Sequence, residues 1–323
     1  MLYPLTFSTI YKDKIWGGQK IRSILNKDFG DLPNCGETWE VSGVSGNISV
    51  VDNGTLAGQP LTALIQEYKS ELVGKHVHHQ FGDEFPLLIK FIDANQDLSI
   101  QVHPDDELAA KRHNSFGKTE MWYVLQADQG AKLISGFNQP LTREKYLEKF
   151  NAGKLTDILN SEEVKDDDVF FLPAGRVHTI GKGLMIAEIQ QTSDITYRIY
   201  DFDRVDAEGK KRELHVEEAL DAIDYRHYDS YKTDYSEKSN SRNQLVECPY
   251  FVTNKLVLDK PYDASLSADS FRVYICLSGK AELVTPNGTV GMKSGSVALV
   301  PAAIESVGIE PKSKVTLLET YVP

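Results

Sequence analysis

Three stretches hold residues whose types and spacing can do chemistry: Leu98–Asp106 (LSIQVHPDD), Gly117–Leu125 (GKTEMWYVL) and Phe171–Gly181 (FLPAGRVHTIG). In an extended strand, residues i and i+2 point to one side, so Gln101 and His103 share a face, as do Lys118 and Glu120 one strand later. If these faces line the inside of a barrel, an imidazole, a carboxylate and an amide oxygen converge. Such N and O donors, without thiolate, suit Zn²⁺ or another divalent first-row metal. Taken singly, His103 reads as a hydrogen-bonded core histidine, and Lys118 as a solvated lysine or half of an ion pair.

The elements that position these residues are mostly strands. Short apolar runs broken by Gly, Pro, Asn and Asp give the pattern of an all-β sandwich or barrel. Strands are expected at Trp39–Ser42, Ile48–Val51, Pro86–Asp93, Ser99–His103, Thr119–Leu125, Val169–Leu172 and Leu184–Gln190. Leu61, Leu64, Ile65, Tyr68 and Leu72 form one helical face, with Thr62 a candidate cap for a late start. Thr142–Phe150 with Lys154–Leu159 reads as a helical insert, and Val216–Ile223 as another helix. The polar stretch Asp229–Gln244 reads as a linker. Beyond it, Asn287-Gly288 between two apolar runs signals a hairpin in a C-terminal β-domain. A faint repeat aligns Asp167–His178 with Gly295–Ser306, Ala303 standing for Gly175 and Ser306 for His178, which suggests one working site and one structural copy.

Composition narrows the function. The 323 residues include 35 Lys+Arg and 47 Asp+Glu, a formal charge of −12. That excess argues against a nucleic-acid or anionic-membrane binder, so an anionic ligand must be held by a few local cations. Cys35, Cys248 and Cys276 are odd in number and widely spaced, which points to a reducing compartment and against a disulfide framework or thiolate zinc site. With no secretory-type start and no run near the ~18 apolar residues of a membrane span, a cytoplasmic protein is expected.

Taken together, the three segments resemble the cupin pattern. Pro173-Ala-Gly175-Arg-Val-His178 fits the end of that family's second motif, Gly-x5-Pro-x-Gly-x2-His, with Asp167 where the first glycine would stand. Glu120-Met-Trp-Tyr-Val-Leu resembles the glutamate and aromatic-rich strand of the first motif, whose usual His-x-His is Gln101-Val-His103 here. The 16 residues between His103 and Glu120 leave room for a short helix over Asp105–His113. From its first residues to about Ile223, the sequence is similar to the type I phosphomannose isomerases. The similarity includes Trp16–Gly18 (WGG), Gly36–Ser42 (GETWEVS), Phe85–Asp106 and Ala187–Arg204 (AEIQQTSDITYRIYDFDR). The ordered set QVHP, GKTE, PAGxxH and YRIYDFDR is the specific part.

The resemblance implies a mainly β fold. It would be a cupin-type (jelly-roll) β-barrel with helical inserts over residues 1–240, then a smaller degenerate cupin-like domain over 245–323 without a metal site. It implies one Zn²⁺ per chain held by Gln101, His103, Glu120 and His178, an active-site role for Arg198, and Glu188, Lys118, Lys90, Ser99 and Arg204 in the pocket. The implied reaction interconverts D-mannose 6-phosphate and D-fructose 6-phosphate. No nucleotide cofactor, nucleic acid, membrane or obligatory protein partner is implied.

Those residue types suit that reaction. Moving a proton between C1 and C2 through an enediol(ate) needs a base, an oxyanion stabiliser and proton delivery between two oxygens. In Leu184–Gln190, Ile186, Glu188 and Gln190 share a face, so Glu188 is a candidate base, with Lys118 its rival. In Ile195–Tyr200, Thr196, Arg198 and Tyr200 fall together, and Arg198 suits enediolate charge. Lys90, Ser99 and Arg204 suit phosphate oxygens.

Other signals are weaker. His76-Val77-His78-His79 reads as a solvated loop. Gly117-Lys118-Thr119 lacks the earlier glycine of a phosphate loop, its place being Arg112. Gly181-Lys182-Gly183 reads as a turn, and Glu162–Asp168 as a solvated acidic loop. Trp16, Trp39 and Trp122 read as core or pocket wall. The rival readings are an iron cupin oxygenase, which Gln101 in place of a histidine disfavours, and a non-catalytic sugar-phosphate-binding cupin.

Overall fold

Runs such as Leu-Leu-Ile-Lys-Phe-Ile-Asp-Ala at 87–94 form strands because their alternating side chains meet apolar layers on both sides. The computed structural model describes residues 1–205 and 208–323. Its first strands are β1 (Ile10–Lys12), β2 (Glu37–Ser42), β3 (Leu87–Ala94), β4 (Ile100–Val102), β5 (Glu120–Ala127) and β6 (Lys132–Phe137). Then come β7 (Leu159–Glu163), β8 (Val169–Leu172), β9 (His178–Ile180), β10 (Leu184–Gln191) and β11 (Tyr197–Tyr200). The C-terminal part adds β12 (Arg242–Glu247), β13 (Val252–Leu258), β14 (Tyr262–Ser265), β15 (Arg272–Ser278) and β16 (Lys280–Thr285). It ends with β17 (Gly288–Lys293), β18 (Val297–Val300), β19 (Ser306–Pro311) and β20 (Val315–Tyr321).

Strand order is β1-β2-β3-β10-β5-β8 in one sheet and β11-β4-β9-β6-β7 in a second. The third and fourth sheets are β12-β13-β20-β15-β18 and β14-β19-β16-β17. Subtracting ten from each strand of the later sheets returns the order of the earlier ones without their edge strands β1 and β11, so two cupin-type barrels of one topology follow each other, the second smaller. The four sheets stack in layers. Trp122, Val124, Phe170, Ile180 and Ile186 fill the first barrel; Tyr274, Leu283, Val307, Ile309 and Leu317 fill the second. Between the barrels, Ile89, Phe91, Tyr123 and Ile189 of the first sheet share a core with Val273, Ile275, Leu299 and Leu318 of the third.

Seven helices decorate these layers among the described residues: α1 (Lys20–Ser23), α2 (Leu61–Tyr68), α3 (Ser70–Val73), α4 (Lys75–Phe81), α5 (Asp106–His113), α6 (Arg143–Asn151) and α7 (Val216–Ala222). Two start on capping side chains: Asp105 accepts from Leu108 N at 2.9 Å, and Thr142 accepts from Lys145 N at 3.3 Å. No helix is long and apolar enough to cross a membrane.

Several expectations need correction. The apolar face Leu61–Leu72 is two helices broken at Lys69, whose φ of 48° leaves the helical region, and the first starts directly after Pro60 and not at Thr62. His76–His79 lies in α4 and not in a loop. Ile48–Val51 makes only the isolated bridges Val50↔Pro60 and Phe7↔Val51, so it is not a strand. Lys154–Leu159 holds a single 3-10 turn, Leu155–Ile158. The hairpin of β16 and β17 turns on Pro286-Asn287, with Thr285 opposite Gly288, one residue earlier than expected. The acidic run is structural at its end: Asp168 is buried and accepts from Lys232 Nζ at 2.7 Å. The stretch Asp229–Gln244 is a strap and not a free linker. Tyr231 is buried with its hydroxyl on the Phe137 carbonyl at 2.7 Å, and Thr233 N donates to Val169 O at 2.8 Å.

The faint repeat is real but slips by one residue at its end. Asp167 and Gly295 both adopt positive φ, 70° and 83°, which is the conformation a glycine supplies without strain. After the Pro173 and Pro301 turns, however, Ser306 is exposed, and Val307 takes the inward place in the core. A one-residue difference in turn length flips the face.

Phe85 and Phe271, both fully buried, pack at 4.9 Å between the two barrels. Phe271→Ala is therefore expected to cost about 3–5 kcal/mol. Because the core is shared, denaturant unfolding should keep one transition and shift its midpoint down. Separate transitions for the two barrels would count against a shared core.

Candidate active site and metal centre

Antiparallel register brings the three chemistry-bearing stretches into one barrel interior. Gln101 of β4 lies opposite His178 of β9 and Arg198 of β11. From the facing sheet, β10 sets Glu188 between Lys90 and Trp122, and Gln190 opposite Glu120. The turns are tied as firmly as the strands. Gly175, at φ 89°, donates its N–H to the His103 carbonyl at 2.9 Å, and a Cβ there would meet the Ala222 carbonyl at 2.8 Å. Asp106 accepts from Gly117 N at 2.8 Å and from Gln191 Nε2 at 2.9 Å, fixing the loop that presents Lys118.

The two histidines are oriented as metal ligands are. His103 Nδ1 lies 2.7 Å from the Ile195 carbonyl, and His178 Nδ1 lies 2.8 Å from the Arg176 carbonyl. A carbonyl only accepts, so each ring carries its proton on Nδ1 and turns a bare Nε2 inward. Glu120, with no exposed surface, places Oε1 3.3 Å from His178 Nε2 and Oε2 3.6 Å from His103 Nε2. That Oε1 has no hydrogen-bond partner. The three ligand atoms lie within 4.8 Å of one another. Bare nitrogens and an orphan carboxylate oxygen facing one another out of water call for a cation, and the donor set fits a divalent first-row metal. The Gln101 amide stands beside them, its Nε2 3.3 Å from His178 Nε2 and its Oε1 accepting from Ser99 Oγ at 3.4 Å. Lys118 is the cation present: its Nζ is 3.0 Å from His103 Nε2 and bonds Glu120 Oε2.

Burial sets the protonation states. It pulls His178 down to about 3 and His103 well below its usual range, with Lys118 adding to both, so the rings stay neutral. It pushes Glu120 up to about 7 against the opposing pull of Lys118. Burial would also raise Glu188, but Lys118 and Lys90 outweigh it and hold that carboxyl down to about 2. Its oxygens are both engaged, Oε1 by Lys90 Nζ at 3.1 Å and Oε2 by Trp122 Nε1 at 2.8 Å.

A cavity of about 340 Å³ opens in front of the cluster. Of the expected residues, Lys90, Ser99, Gln101, Lys118, Glu188 and Arg198 line it, while His103, Glu120 and His178 adjoin it through Gln101 and Lys118. Arg198 is anchored by Nη1 on the Glu213 carbonyl at 2.8 Å, and its buried Nε is unpartnered. Tyr200 is off the wall and rings against Phe202. Arg204 does not line the cavity, because its guanidinium is spent on Asp201 and the Asp97 carbonyl. The wall carries Arg212 instead, which also holds Asp201, with Nε on Oδ2 at 2.7 Å. Sequence reading passed over Arg212; the only signal was the basic run Lys210-Lys211-Arg212. It also passed over Glu37 and Lys14, paired at 3.4 Å on the same wall. The tryptophans divide as well: Trp16 and Trp39 are wall, and Trp122 is buried behind Glu188.

Known proteins share this arrangement of strands. Residues 5–129 match the model of the phosphomannose isomerase type I catalytic domain. The mannose-6-phosphate isomerase of Streptococcus mutans is 36% identical over 95% of both chains. ManA, the mannose-6-phosphate isomerase of Bacillus subtilis, is 36% identical over 95% of this chain and 96% of its own. A crystal structure of the Bacillus subtilis mannose 6-phosphate isomerase superposes with a TM-score of 0.88 at 31% identity, covering 98% of this chain and 99% of that one. With identity of this level sustained through both barrels, the chain belongs to the type I phosphomannose isomerase family and is an isomerase.

Proposed function

We propose that this isomerase interconverts D-mannose 6-phosphate and D-fructose 6-phosphate through an enediol(ate), using one Zn²⁺ per chain held by Gln101, His103, Glu120 and His178. The observation that carries the reading is the convergence of two bare imidazole nitrogens and an orphan carboxylate oxygen beside a cavity walled by Lys90, Lys118, Arg198 and Arg212. In a chain of net charge −12, these four cations and Lys14 on one cavity wall suit a phosphorylated substrate. We further read residues 1–240 as the catalytic domain, 245–323 as its companion, and the cytoplasm as the place of work.

When bound, the metal supplies a Lewis acid for the carbonyl and hydroxyl oxygens of the sugar. The chain's own residues do the rest. Lys118 Nζ, at the edge of the ligand cluster and on the cavity wall, is placed to carry a proton between the two oxygens. Arg198, with its Nε free and its Nη1 anchored, faces the developing oxyanion with a fixed charge. Lys90 and Ser99 offer an ammonium and a hydroxyl to phosphate oxygens, and Arg212 offers a planar guanidinium. Arg204 serves that subsite at one remove, since it shares Asp201 with Arg212.

A coupled assay on chelator-treated protein is expected to show no fructose 6-phosphate formation, and full return with added Zn²⁺. Stoichiometric metal binding without isomerisation under any divalent metal would instead favour a sugar-phosphate-binding module. Arg198→Ala should lower kcat by about 10²–10³ while metal analysis still finds one ion per chain. Arg212→Ala should raise KM by about tenfold with a smaller change in kcat. An unchanged KM would remove Arg212 from the phosphate subsite.

A further inference from the structure

The two barrels differ in chemistry but agree in register, so laying one over the other separates what a barrel needs from what a site needs. In the first, Glu188 of β10 sits opposite Lys90 on one side and Trp122 on the other. In the second, Glu319 of β20 sits opposite Asn254 of β13 and Tyr274 of β15. Strand for strand these are the same places. The bonds match as well. Glu319 Oε2 accepts from Asn254 Nδ2 at 3.1 Å and Oε1 from Tyr274 Oη at 3.0 Å, just as Glu188 accepts from Lys90 and Trp122. Both carboxylates are buried, Glu188 at 3% and Glu319 at 0% exposure.

The ligand places, by contrast, are not kept. Where Gln101 faces His178, the second barrel pairs Ala264 with Val307. Two residues before Tyr274, where Glu120 precedes Trp122, stands Arg272, stacked 3.6 Å over the Tyr321 ring. The second barrel thus keeps the carboxylate and both cross-strand donors without the first barrel's ligand residues, and adds Arg242, whose Nη2 and Nε reach Glu319 Oε1 at 2.8 Å and Oε2 at 2.7 Å. A carboxylate retained in this place without the first barrel's ligand residues is retained for the barrel.

From this we infer that Glu188 is a positioning residue for the isomerisation and not its base: it clamps β3 to β5 across β10 and aims the Lys90 ammonium into the cavity. What is particular to the first barrel is the place of the cation: Lys90 stands on β3 where the second barrel has the Asn254 amide, and the counter-charge of Glu319 comes instead from Arg242 of β12. The inference rests on the isomerase reading. The two fail differently, since a wild-type protein without isomerase activity sinks that reading, and only the variants below bear on Glu188.

The test is steady-state kinetics of Glu188→Gln with metal content measured alongside. We expect one metal per chain, KM raised about tenfold, kcat lowered less than tenfold, and the acid limb of the kcat–pH profile in its wild-type place. A general base contributes about 10²–10⁴ in rate. A kcat loss of that size at unchanged KM, with the acid limb displaced, would overturn the proposal. Because Glu188→Gln leaves the Lys90 ammonium buried without its counter-ion, Lys90→Gln and the double variant Lys90→Gln/Glu188→Gln are measured as well, the double variant replacing the ion pair by two amides. If Glu188 acts only through Lys90, the double variant has a kcat within about threefold of Lys90→Gln. A further fall of 10² or more from single to double overturns it.

Discussion

Charge buried inside a barrel has to be answered inside the barrel, and the first barrel answers it with two pairs that share neighbours. Lys90 meets Glu188 with both side chains almost wholly buried, and Lys118 meets Glu120 under the same conditions. Pairs of this kind add little net stability, because desolvation offsets their attraction, yet removing one member strands the other at a cost of several kcal/mol. The site is therefore a closed account of charge: two cations, two anions and two neutral imidazoles. Lys118 is the cation that touches both the His103 imidazole and the Glu120 carboxylate, so the balance of the cluster runs through it.

Much of this was legible in the sequence, and what was not has a physical reason in each case. The i, i+2 pairs Gln101/His103 and Lys118/Glu120 announced their shared faces, and Asp105 and Thr142 announced helix starts, because these signals are local. The role of Glu188 was not legible, since its inward side chain says nothing of the Lys90 and Trp122 that occupy it from neighbouring strands. Arg212 was hidden because a basic run has no periodicity to show which guanidinium turns inward. The linear match of His178 to Ser306 failed for want of one residue in a turn. Asp167, a non-glycine in a left-handed conformation where Gly295 stands in the second copy, kept the repeat faint although the backbone is the same.

The cations of the cavity are local exceptions in an acidic chain. Asp201, buried at 5% exposure, is clasped by both Arg204 and Arg212, which hold its carboxyl below the usual range against the opposing effect of burial. One carboxylate thus organises two guanidiniums: it neutralises the outer one and lends the inner one a fixed direction. That is how a protein of net charge −12 keeps an anion-receptive wall without a basic surface.

The sheet that carries Lys90, Glu120 and Glu188 is covered on both faces, by the first barrel's interior on one side and by the third sheet on the other. All eight residues of β3 and all eight of β10 are buried. Amide protons in such strands exchange with solvent only when the whole molecule opens, whereas Arg212 lies between the exposed Lys211 and Glu213 and is half-buried against Asp201. Lys90 and Glu188 thus sit on strands with no exposed residue, while Arg212 reaches the same cavity from an exposed stretch and owes its direction to Asp201.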